Sequence, residues 1–182
     1  MIILIGASAS GKTEVAKLLD KLYGIKKVIT HTTREMRAGE KRDIDYHFVT
    51  KDEFLSLKDH DTFVETTFYN NNFYGSSKQE INDKKVLIVD PTGLDSFIKL
   101  QNPHIISFYL TANEATRFNR MLIRGDDIEL VKARIANDRI KFTSDLEKKV
   151  NYQIDSESMS LLDMAEKIYK LYTNHLKKQK DY

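Results

Sequence analysis

The 182-residue sequence contains no cysteine and no tryptophan, only two prolines, and almost no excess charge. Without cysteine, disulfides and thiolate metal sites are excluded, and a reducing compartment is compatible with that absence. The formal net charge of +2 lacks the basic excess of a duplex-DNA binder, so no nucleic-acid partner is expected. No apolar run approaches the roughly 20 residues that span a bilayer, and the first residues do not resemble a signal peptide. We therefore expect a cytoplasmic protein without a membrane partner.

Short apolar runs alternate with segments of helical periodicity along most of the chain. The apolar runs predict strands of a parallel sheet at 2–5, 26–30, 86–89, 105–110 and 152–154. The helical spacing predicts helices at 13–23, 113–124, 127–149 and 159–178. This alternation is typical of the α/β class, in which helices cover a parallel sheet.

Residues 31–84 follow a different pattern and predict an inserted subdomain. A strand at 46–49 precedes a helix at 51–58, and alternation at 62–69 predicts a half-buried strand that places Phe63, Glu65 and Thr67 on one face. The asparagines at 70–72 predict a turn, which would return the chain as a hairpin at 73–75, and a helix is predicted at 77–84.

The first apolar strand runs directly into a motif for phosphate binding. The residues match G-x-x-x-x-G-K-[ST] in full and stand between a strand and an amphipathic helix, the context that this motif requires. Its backbone amides converge on phosphate oxygens, its lysine adds positive charge at the β- and γ-phosphates, and its Thr hydroxyl is a ligand for Mg²⁺. The predicted ATP-binding residues are Gly6, Ala7, Ser8, Ala9, Ser10, Gly11, Lys12 and Thr13, with Thr13 as the metal ligand.

A second cluster of cationic side chains lies in the segment TTREMRAGEKRDIDYHF, residues 32–48. Arg34 and Arg37 carry guanidinium forks, which grip phosphate bidentately. Acidic residues nearby balance this charge, so the segment is not a general polyanion patch. The residues alone leave two interpretations open, a phosphate-binding site and a solvated charged loop.

The spacing T-x-T-T-R-x-x-R-x-G-E-x-x-x-x-D-Y-x-F, from Thr30 to Phe48, resembles the GMP-binding signature of guanylate kinases. The similarity continues through F-V-E at 63–65, F-Y-G-S at 73–76, Val89-Asp90, Gly93 and the arginines at 120, 124 and 134. The resemblance implies a P-loop NTPase three-layer fold with a parallel sheet, an inserted mixed-β nucleotide-binding subdomain and a helical lid. It implies one domain over 1–182, with the core at 1–30 and 85–182, the GMP-binding insertion at about 31–84 and the lid at about 120–145.

The same resemblance implies an activity: phosphoryl transfer from ATP with Mg²⁺ to GMP or dGMP, in a monomer or homodimer. The implied GMP-binding residues are Thr30, Arg34, Arg37, Tyr46, Glu65, Tyr74, Ser76 and Asp90. The implied catalytic residues are Lys12, Arg34, Asp90, Arg124 and Arg134, with Arg120 as a weaker candidate. A carboxylate at Glu65 suits guanine, because guanine presents two adjacent donors and adenine does not.

The chain departs from the family pattern around the metal and on the adenine side. An acidic residue is usual where Ile88 stands, and an Asn-Asp pair is usual near Asp155-Ser156. Two alternatives remain open: a related kinase for another phosphorylated acceptor, such as a ribose bisphosphate, and a non-catalytic binding module of guanylate kinase-like form. The complete phosphate loop and acceptor motif favour the guanylate kinase.

Overall fold

The computed structural model describes residues 1–36, 38–69 and 71–180. The strands are β1 (Ile2–Ile5), β2 (Lys26–Lys27), β3 (His31–Thr32), β4 (His47–Phe48), β5 (Phe63–Tyr69), β6 (Asn72–Ser77), β7 (Lys85–Ile88), β8 (Ile106–Thr111) and β9 (Tyr152–Asp155). The helices are α1 (Lys12–Tyr23), α2 (Lys51–Asp59), α3 (Pro91–Ile98), α4 (Glu114–Ile123), α5 (Ile128–Lys141), α6 (Asp145–Lys149) and α7 (Leu161–Lys180).

The main sheet has the strand order β2-β7-β1-β8-β9, and all of its paired strands are parallel. Successive residues of β1 point to opposite faces. Ile2 and Leu4 pack in the core that α1 and α7 cover, whereas Ile3 and Ile5 pack with residues of α3 and α6. The result is the predicted three-layer α/β arrangement. In such sheets ligands gather at the carboxyl ends of the strands.

The chain between β2 and β7 builds a second, mixed sheet of order β4-β3-β6-β5. Strands β3 and β4 are parallel, whereas β6 pairs antiparallel with both β3 and β5. This confirms the predicted mixed-β insertion and its hairpin. Asn70 of the predicted turn lies outside the described residues. A register shift between Phe63 and Glu65 separates these two side chains: Phe63 stacks on Phe54 with ring centroids 4.7 Å apart, so the prediction of one shared face was wrong for Phe63.

Gly75 of β6 packs directly against the rings of Phe54 and Phe63, and this close contact leaves no room for a side chain at Gly75. A Cβ at Gly75 would lie 2.9 Å from Phe63 Cδ1 and 3.0 Å from Phe54 Cζ. Overpacking of this kind costs about 1–3 kcal/mol. We therefore expect Gly75→Ala to lower the free energy of unfolding by that amount, as measured by urea titration. A variant as stable as the parent would contradict the close packing described here.

The structure corrects several of the predicted elements. The helix predicted at 77–84 is only a 3₁₀ turn at Lys78–Glu80, and only Lys26–Lys27 of the strand predicted at 26–30 joins the main sheet. The helix predicted at 127–149 is two helices, because Phe142 leaves the helical conformation (φ −102°, ψ 75°) and stacks on Tyr109. Helix α3 was not predicted, although Asp90 caps it and Pro91 begins it, which is a common way for helices to start.

None of the described helices is both long enough and apolar enough to span a lipid bilayer.

Candidate active site

The phosphate loop, residues 6–13, connects β1 at the centre of the main sheet to the first turn of α1. Gly6 is required by close approach, since a Cβ there would lie 2.5 Å from the carbonyl oxygen of Leu110. Ala9 (φ 60°) and Gly11 (φ 98°) have left-handed backbone conformations. Left-handed residues that alternate with right-handed ones turn successive backbone amides towards one concave side, which is how such loops bind anions.

The Lys12 ammonium lies against its own loop. Its Nζ donates to the carbonyl oxygens of Gly6 (2.7 Å) and Ala7 (2.8 Å) and lies 3.4 Å from Ser10 Oγ. Burial lowers the pKa of Lys12 to about 8, although the nearby carboxylate of Asp138 acts in the opposite direction. The lysine is therefore a partly buried cation whose present partners are neutral oxygens that a phosphate could replace.

A cavity of about 350 Å³ opens beside the loop and the start of α1. It has a cationic wall and an apolar wall, and its lining residues are Ala9, Gly11, Lys12, Thr13, Glu14, Arg120, Arg124, Ser156, Met159, Leu161 and Met164. Arg120 connects the phosphate loop to the residue that follows β9. It donates to the Ala9 carbonyl (3.2 Å), to Ser156 Oγ (3.0 Å) and to the Ser156 carbonyl (2.7 Å). The cavity has the size and mixed character of a small-molecule site.

Arg124 and Arg134, the two arginines predicted to be catalytic, share one carboxylate. Arg124 donates to both oxygens of Asp126, with Nε 3.0 Å from Oδ1, and Arg134 Nη1 lies 2.9 Å from Asp126 Oδ2. These ion pairs lower the pKa of Asp126. Both guanidinium groups are about half exposed, at 57% and 50% of the side-chain surface. The structure thus brings the two arginines together, with Arg124 also lining the cavity beside the loop.

A second cavity, of about 240 Å³, lies between the second sheet and the carboxyl end of β7. Six of the predicted GMP-binding residues line it: Thr30, Tyr46, Glu65, Tyr74, Ser76 and Asp90. Strand β7 is the immediate neighbour of β1, with Leu4 paired to Ile88. Because neighbouring strands are about 4.8 Å apart, the end of β7, which lines this cavity, lies beside the end of β1, where the phosphate loop begins.

Glu65 is the acidic side chain from the second sheet in this cavity. Its Oε1 accepts a hydrogen bond from Ser76 Oγ at 2.6 Å, and its Oε2 lies 3.4 Å from Thr67 Oγ1. Burial raises the pKa of the Glu65 carboxyl, the Ser76 hydrogen bond opposes that shift, and the charge of Asp90 adds to it. The two hydroxyls hold the carboxylate in a fixed orientation on the cavity wall.

Asp90 has two roles in the structure. Its Oδ1 accepts the Gly93 amide at 2.9 Å and caps α3, while its Oδ2 lies 3.9 Å from Lys141 Nζ. A capping role and a position on the cavity wall are therefore compatible at this residue. Ile88, which stands where the family pattern has an acidic residue, also lines the cavity.

Arg34 contacts Tyr46, one of the residues that line this cavity. Its guanidinium is paired with both carboxylate oxygens of Glu40, at 3.0 and 2.7 Å, and lies 5.4 Å from the ring centre of Tyr46. The structure therefore places Arg34 beside Tyr46, a predicted GMP-binding residue, while the charge of Arg34 is paired with Glu40. Arg37, the other predicted phosphate-binding arginine, lies outside the described residues.

The described residues form no group of three His, Asp or Glu side chains that could hold a metal ion by themselves. Thr13 lines the cavity beside the phosphate loop, as the sequence motif requires. A hydroxyl and the oxygens of a bound nucleotide suit Mg²⁺, which commonly binds through few protein ligands and substrate phosphates. The residues present are therefore compatible with Mg²⁺ bound together with a nucleotide.

Sequence reasoning missed two buried charges beside the loop, Arg117 and Asp138. They form an ion pair of 2.7 Å that also contacts Ser8. Each lies on a predicted helix among many other charged residues, and no local pattern marks them as buried. Only the packing of α4 and α5 against the loop reveals them. Asp126, which pairs with both Arg124 and Arg134, was not among the predicted site residues.

A phosphate loop at the end of a central parallel strand, with a second polar cavity at the end of the neighbouring strand, defines a P-loop nucleotide-binding protein. The chain belongs to the guanylate kinase family, whose family model, described as guanylate kinase, matches residues 1–170.

Individual relatives agree with this family assignment. A guanylate kinase from Anaplasma phagocytophilum is 34% identical over 145 residues, which cover 74% of this chain and 69% of the relative. A guanylate kinase from Fusobacterium nucleatum is 29% identical over 177 residues, covering 91% and 95%. The crystal structure of guanylate kinase from Anaplasma phagocytophilum superimposes with a TM-score of 0.66 at 23% identity, over 96% of this chain and 85% of that one. This likeness confirms the P-loop NTPase fold.

Proposed function

We propose that this protein is an ATP:GMP phosphotransferase that converts GMP or dGMP and ATP into GDP and ADP. The observation that carries the proposal is the cavity at the end of β7, where Glu65, Ser76, Tyr46 and Tyr74 surround one space beside the phosphate loop. Membership of the guanylate kinase family supports the same reaction. We place it in the cytoplasm.

On the acceptor side, Glu65 and Ser76 bind the guanine. Both oxygens of Glu65 are acceptors, and guanine N1–H and its 2-amino group are two donors on one edge, so the pair is complementary. Tyr46, Tyr74 and Thr30 then face the GMP phosphate. Arg34 and Arg37 complete the phosphate site, since guanidinium groups bind phosphate bidentately. Arg34 must exchange Glu40 for the phosphate, which keeps its charge paired throughout.

On the donor side, ATP lies in the cavity beside the loop, with its triphosphate on the amides of residues 6–13. Lys12 turns from the carbonyl oxygens of Gly6 and Ala7 towards the β- and γ-phosphates. The adenine packs on the apolar wall, where thioether and aliphatic groups accept a flat ring. Arg120 and Arg124 also line this cavity, and a guanidinium over an aromatic face is an attractive contact.

In the reaction, an oxygen of the GMP phosphate attacks the γ-phosphorus of ATP, and the bond from that phosphorus to the β-phosphate oxygen breaks. No general base is needed, because the attacking phosphate is already an anion. Catalysis therefore depends on in-line positioning and positive charge. Lys12, Arg34, Arg124 and Arg134 supply that charge. Asp90 lies between the two nucleotides and contacts GMP.

Mg²⁺ bound with ATP would be held by Thr13, and it neutralises charge on the phosphates when present. We propose that two parts move during the cycle: the GMP-binding insertion at about 31–84 and the lid at about 120–145. Their closure excludes water from the γ-phosphate and so limits hydrolysis of ATP. The core at 1–30 and 85–182, apart from the lid, stays in place, and the protein acts as a monomer or homodimer.

The two alternatives from the sequence have less support. A kinase for another phosphorylated acceptor would not need the guanine-complementary pair Glu65 and Ser76. A non-catalytic module would not need Lys12 and Thr13 in a complete phosphate loop. The relatives described above are named guanylate kinase, which favours the kinase over both.

A coupled assay of ADP formation tests the acceptor. ATP·Mg²⁺ is offered with GMP, dGMP, AMP, UMP or CMP in turn. We expect turnover with GMP or dGMP only, because the other bases do not present two adjacent donors to the Glu65 carboxylate. Turnover with AMP or a pyrimidine nucleotide that equals turnover with GMP would contradict the proposed acceptor.

The pKa of Lys12, near 8, predicts a pH dependence for ATP. Below that pH the side chain is the ammonium that phosphates need, and above it the free enzyme loses this charge. We therefore expect kcat/KM for ATP to fall about tenfold per pH unit well above pH 8, since kcat/KM reports ionisation of the free enzyme. At saturating ATP the phosphates stabilise the ammonium, so kcat should fall only at higher pH. A kcat/KM for ATP that stays constant to pH 9.5 would contradict this.

A further inference from the structure

A buried ion pair ties the two lid helices to the phosphate loop. Arg117 on α4 and Asp138 on α5 lie 2.7 Å apart, with side chains only 8% and 7% exposed. Asp138 Oδ2 accepts the Ser8 backbone amide at 2.9 Å, and its Oδ1 lies 3.3 Å from Ser8 Oγ. Arg117 Nη1 reaches the Ser8 carbonyl oxygen at 3.4 Å. One residue of the loop therefore contacts both members of the pair.

The pair has no role in the phosphoryl transfer described above, yet its position has a cost. A carboxylate next to an anion-binding loop would repel a triphosphate, and a buried carboxylate without a partner is strongly destabilising. Arg117 removes both problems, because the pair has no net charge. Asp138 then acts as a structural constraint, because its hydrogen bond with the Ser8 amide fixes the distance between α5 and Ser8.

Arg134 lies one helical turn before Asp138 on α5 and so projects from the same side of the helix. Beyond the ion pair, the hairpin of α4 and α5 has a small apolar core of Met121, Val131 and Ile135, packed against Ala9. A helix anchored at Ser8 can deliver Arg134 only within a narrow range of positions. An error of about 1 Å in such a position can cost about 100-fold in rate.

We propose that Asp138, neutralised by Arg117, is a positioning residue that fixes the base of the lid on Ser8 of the phosphate loop and thereby places Arg134 for catalysis. This inference rests on the proposed phosphoryl transfer. Asp138 itself touches neither nucleotide in this account and acts through Arg134.

The chain provides a matched control on the same two helices. Glu114 on α4 and Arg139 on α5 form a second ion pair, with Nε 2.7 Å from Oε2. This pair is exposed, at 41% and 67% of the side-chain surface. Arg139 directly follows Asp138, and Glu114 lies three residues before Arg117. Exposed pairs contribute little to stability, so Arg139→Gln should leave kcat within about twofold of the parent.

The test is a double-mutant cycle on kcat, which isolates the interaction between two positions. The background variant is R117L/D138L, in which two apolar side chains replace the pair so that no buried charge is left unpaired. We expect this background to lower kcat about 30- to 100-fold while leaving KM for GMP unchanged. Within it, Arg134→Ala should cost less than about threefold, whereas in the parent Arg134→Ala should cost about 100-fold or more.

An equal cost of Arg134→Ala in both backgrounds would overturn the proposal, since the pair would then stabilise the fold without placing Arg134. If R117L/D138L does not fold, the same cycle is run with R117L/D138A, which also removes the acceptor for the Ser8 amide and leaves no buried charge unpaired. Hydrogen exchange of the Ser8 amide provides a readout independent of turnover: the double variant should speed it at least tenfold relative to Arg139→Gln. Fast exchange in the parent would refute the tie itself, whereas a parent that shows slow exchange but no GMP-dependent turnover would refute the proposed reaction instead.

Discussion

Lys12→Ala is expected to lower kcat for GMP phosphorylation by about 1,000-fold. The ammonium is the charge that the phosphate loop itself brings to the γ-phosphate, and single preorganised donors of this kind contribute about 100- to 1,000-fold to kcat. In the structure Lys12 Nζ is bonded to the carbonyl oxygens of Gly6 and Ala7. It needs only to turn to reach a phosphate, so the side chain is already placed for transfer.

Lys17→Ala is the matched control for that experiment. It removes the same charge from the same helix, but Lys17 is 67% exposed and pairs with Glu14. Its kcat should equal that of the parent. Calorimetric binding of GMP to Lys12→Ala should also be unchanged, because the acceptor cavity does not include Lys12. A Lys12→Ala enzyme that keeps a tenth or more of the parent kcat would exclude the proposed role of the lysine.

Glu65→Gln is expected to lower kcat/KM for GMP by about 5- to 150-fold, mainly by raising KM. A glutamine amide offers one acceptor and one donor group, so its NH₂ faces a guanine donor and one hydrogen bond becomes a repulsion. Leaving buried polar groups unpaired costs about 1–3 kcal/mol, and every 1.4 kcal/mol is about tenfold. Because Ser76 and Thr67 hold the side chain in place, it cannot easily turn away.

The loss in Glu65→Gln should be confined to the acceptor. KM for ATP should stay at the parent value, since Glu65 does not line the donor cavity. Glu166→Gln, an exposed position on α7, makes the same chemical change away from both cavities and should have parental kinetics. A Glu65→Gln enzyme with unchanged KM for GMP would show that another group recognises the guanine.

The sequence predicted local chemistry better than long-range packing. The phosphate loop was identified from its own residues, because the conformation and the ligand are both determined within one short segment. The strands predicted from apolar runs, such as 2–5, agree with the structure for the same reason. Glu65 could be connected to guanine only through the family resemblance, since an acidic residue in an alternating strand is otherwise typical of a solvated face.

The elements that were missed depend on contacts between distant parts of the chain. The break after Lys141 arises because Phe142 stacks on Tyr109 of β8, and helical periodicity carries no sign of that contact. The bulge beside Glu65 is a property of the pairing between β5 and β6 rather than of either strand alone. Asp138 contacts Ser8 across 130 residues of sequence, so its burial could not be read from its helix.

The central claim is that a phosphoryl group passes directly from ATP to GMP between two adjoining cavities. Chromatographic measurement of all products with time tests it most directly. We predict that ADP and GDP form in equal amounts, that inorganic phosphate stays at background, and that ADP formation stops when GMP is omitted. ADP and inorganic phosphate released at the same rate without GMP would contradict the account, because the chain would then be an ATPase rather than a nucleotide kinase.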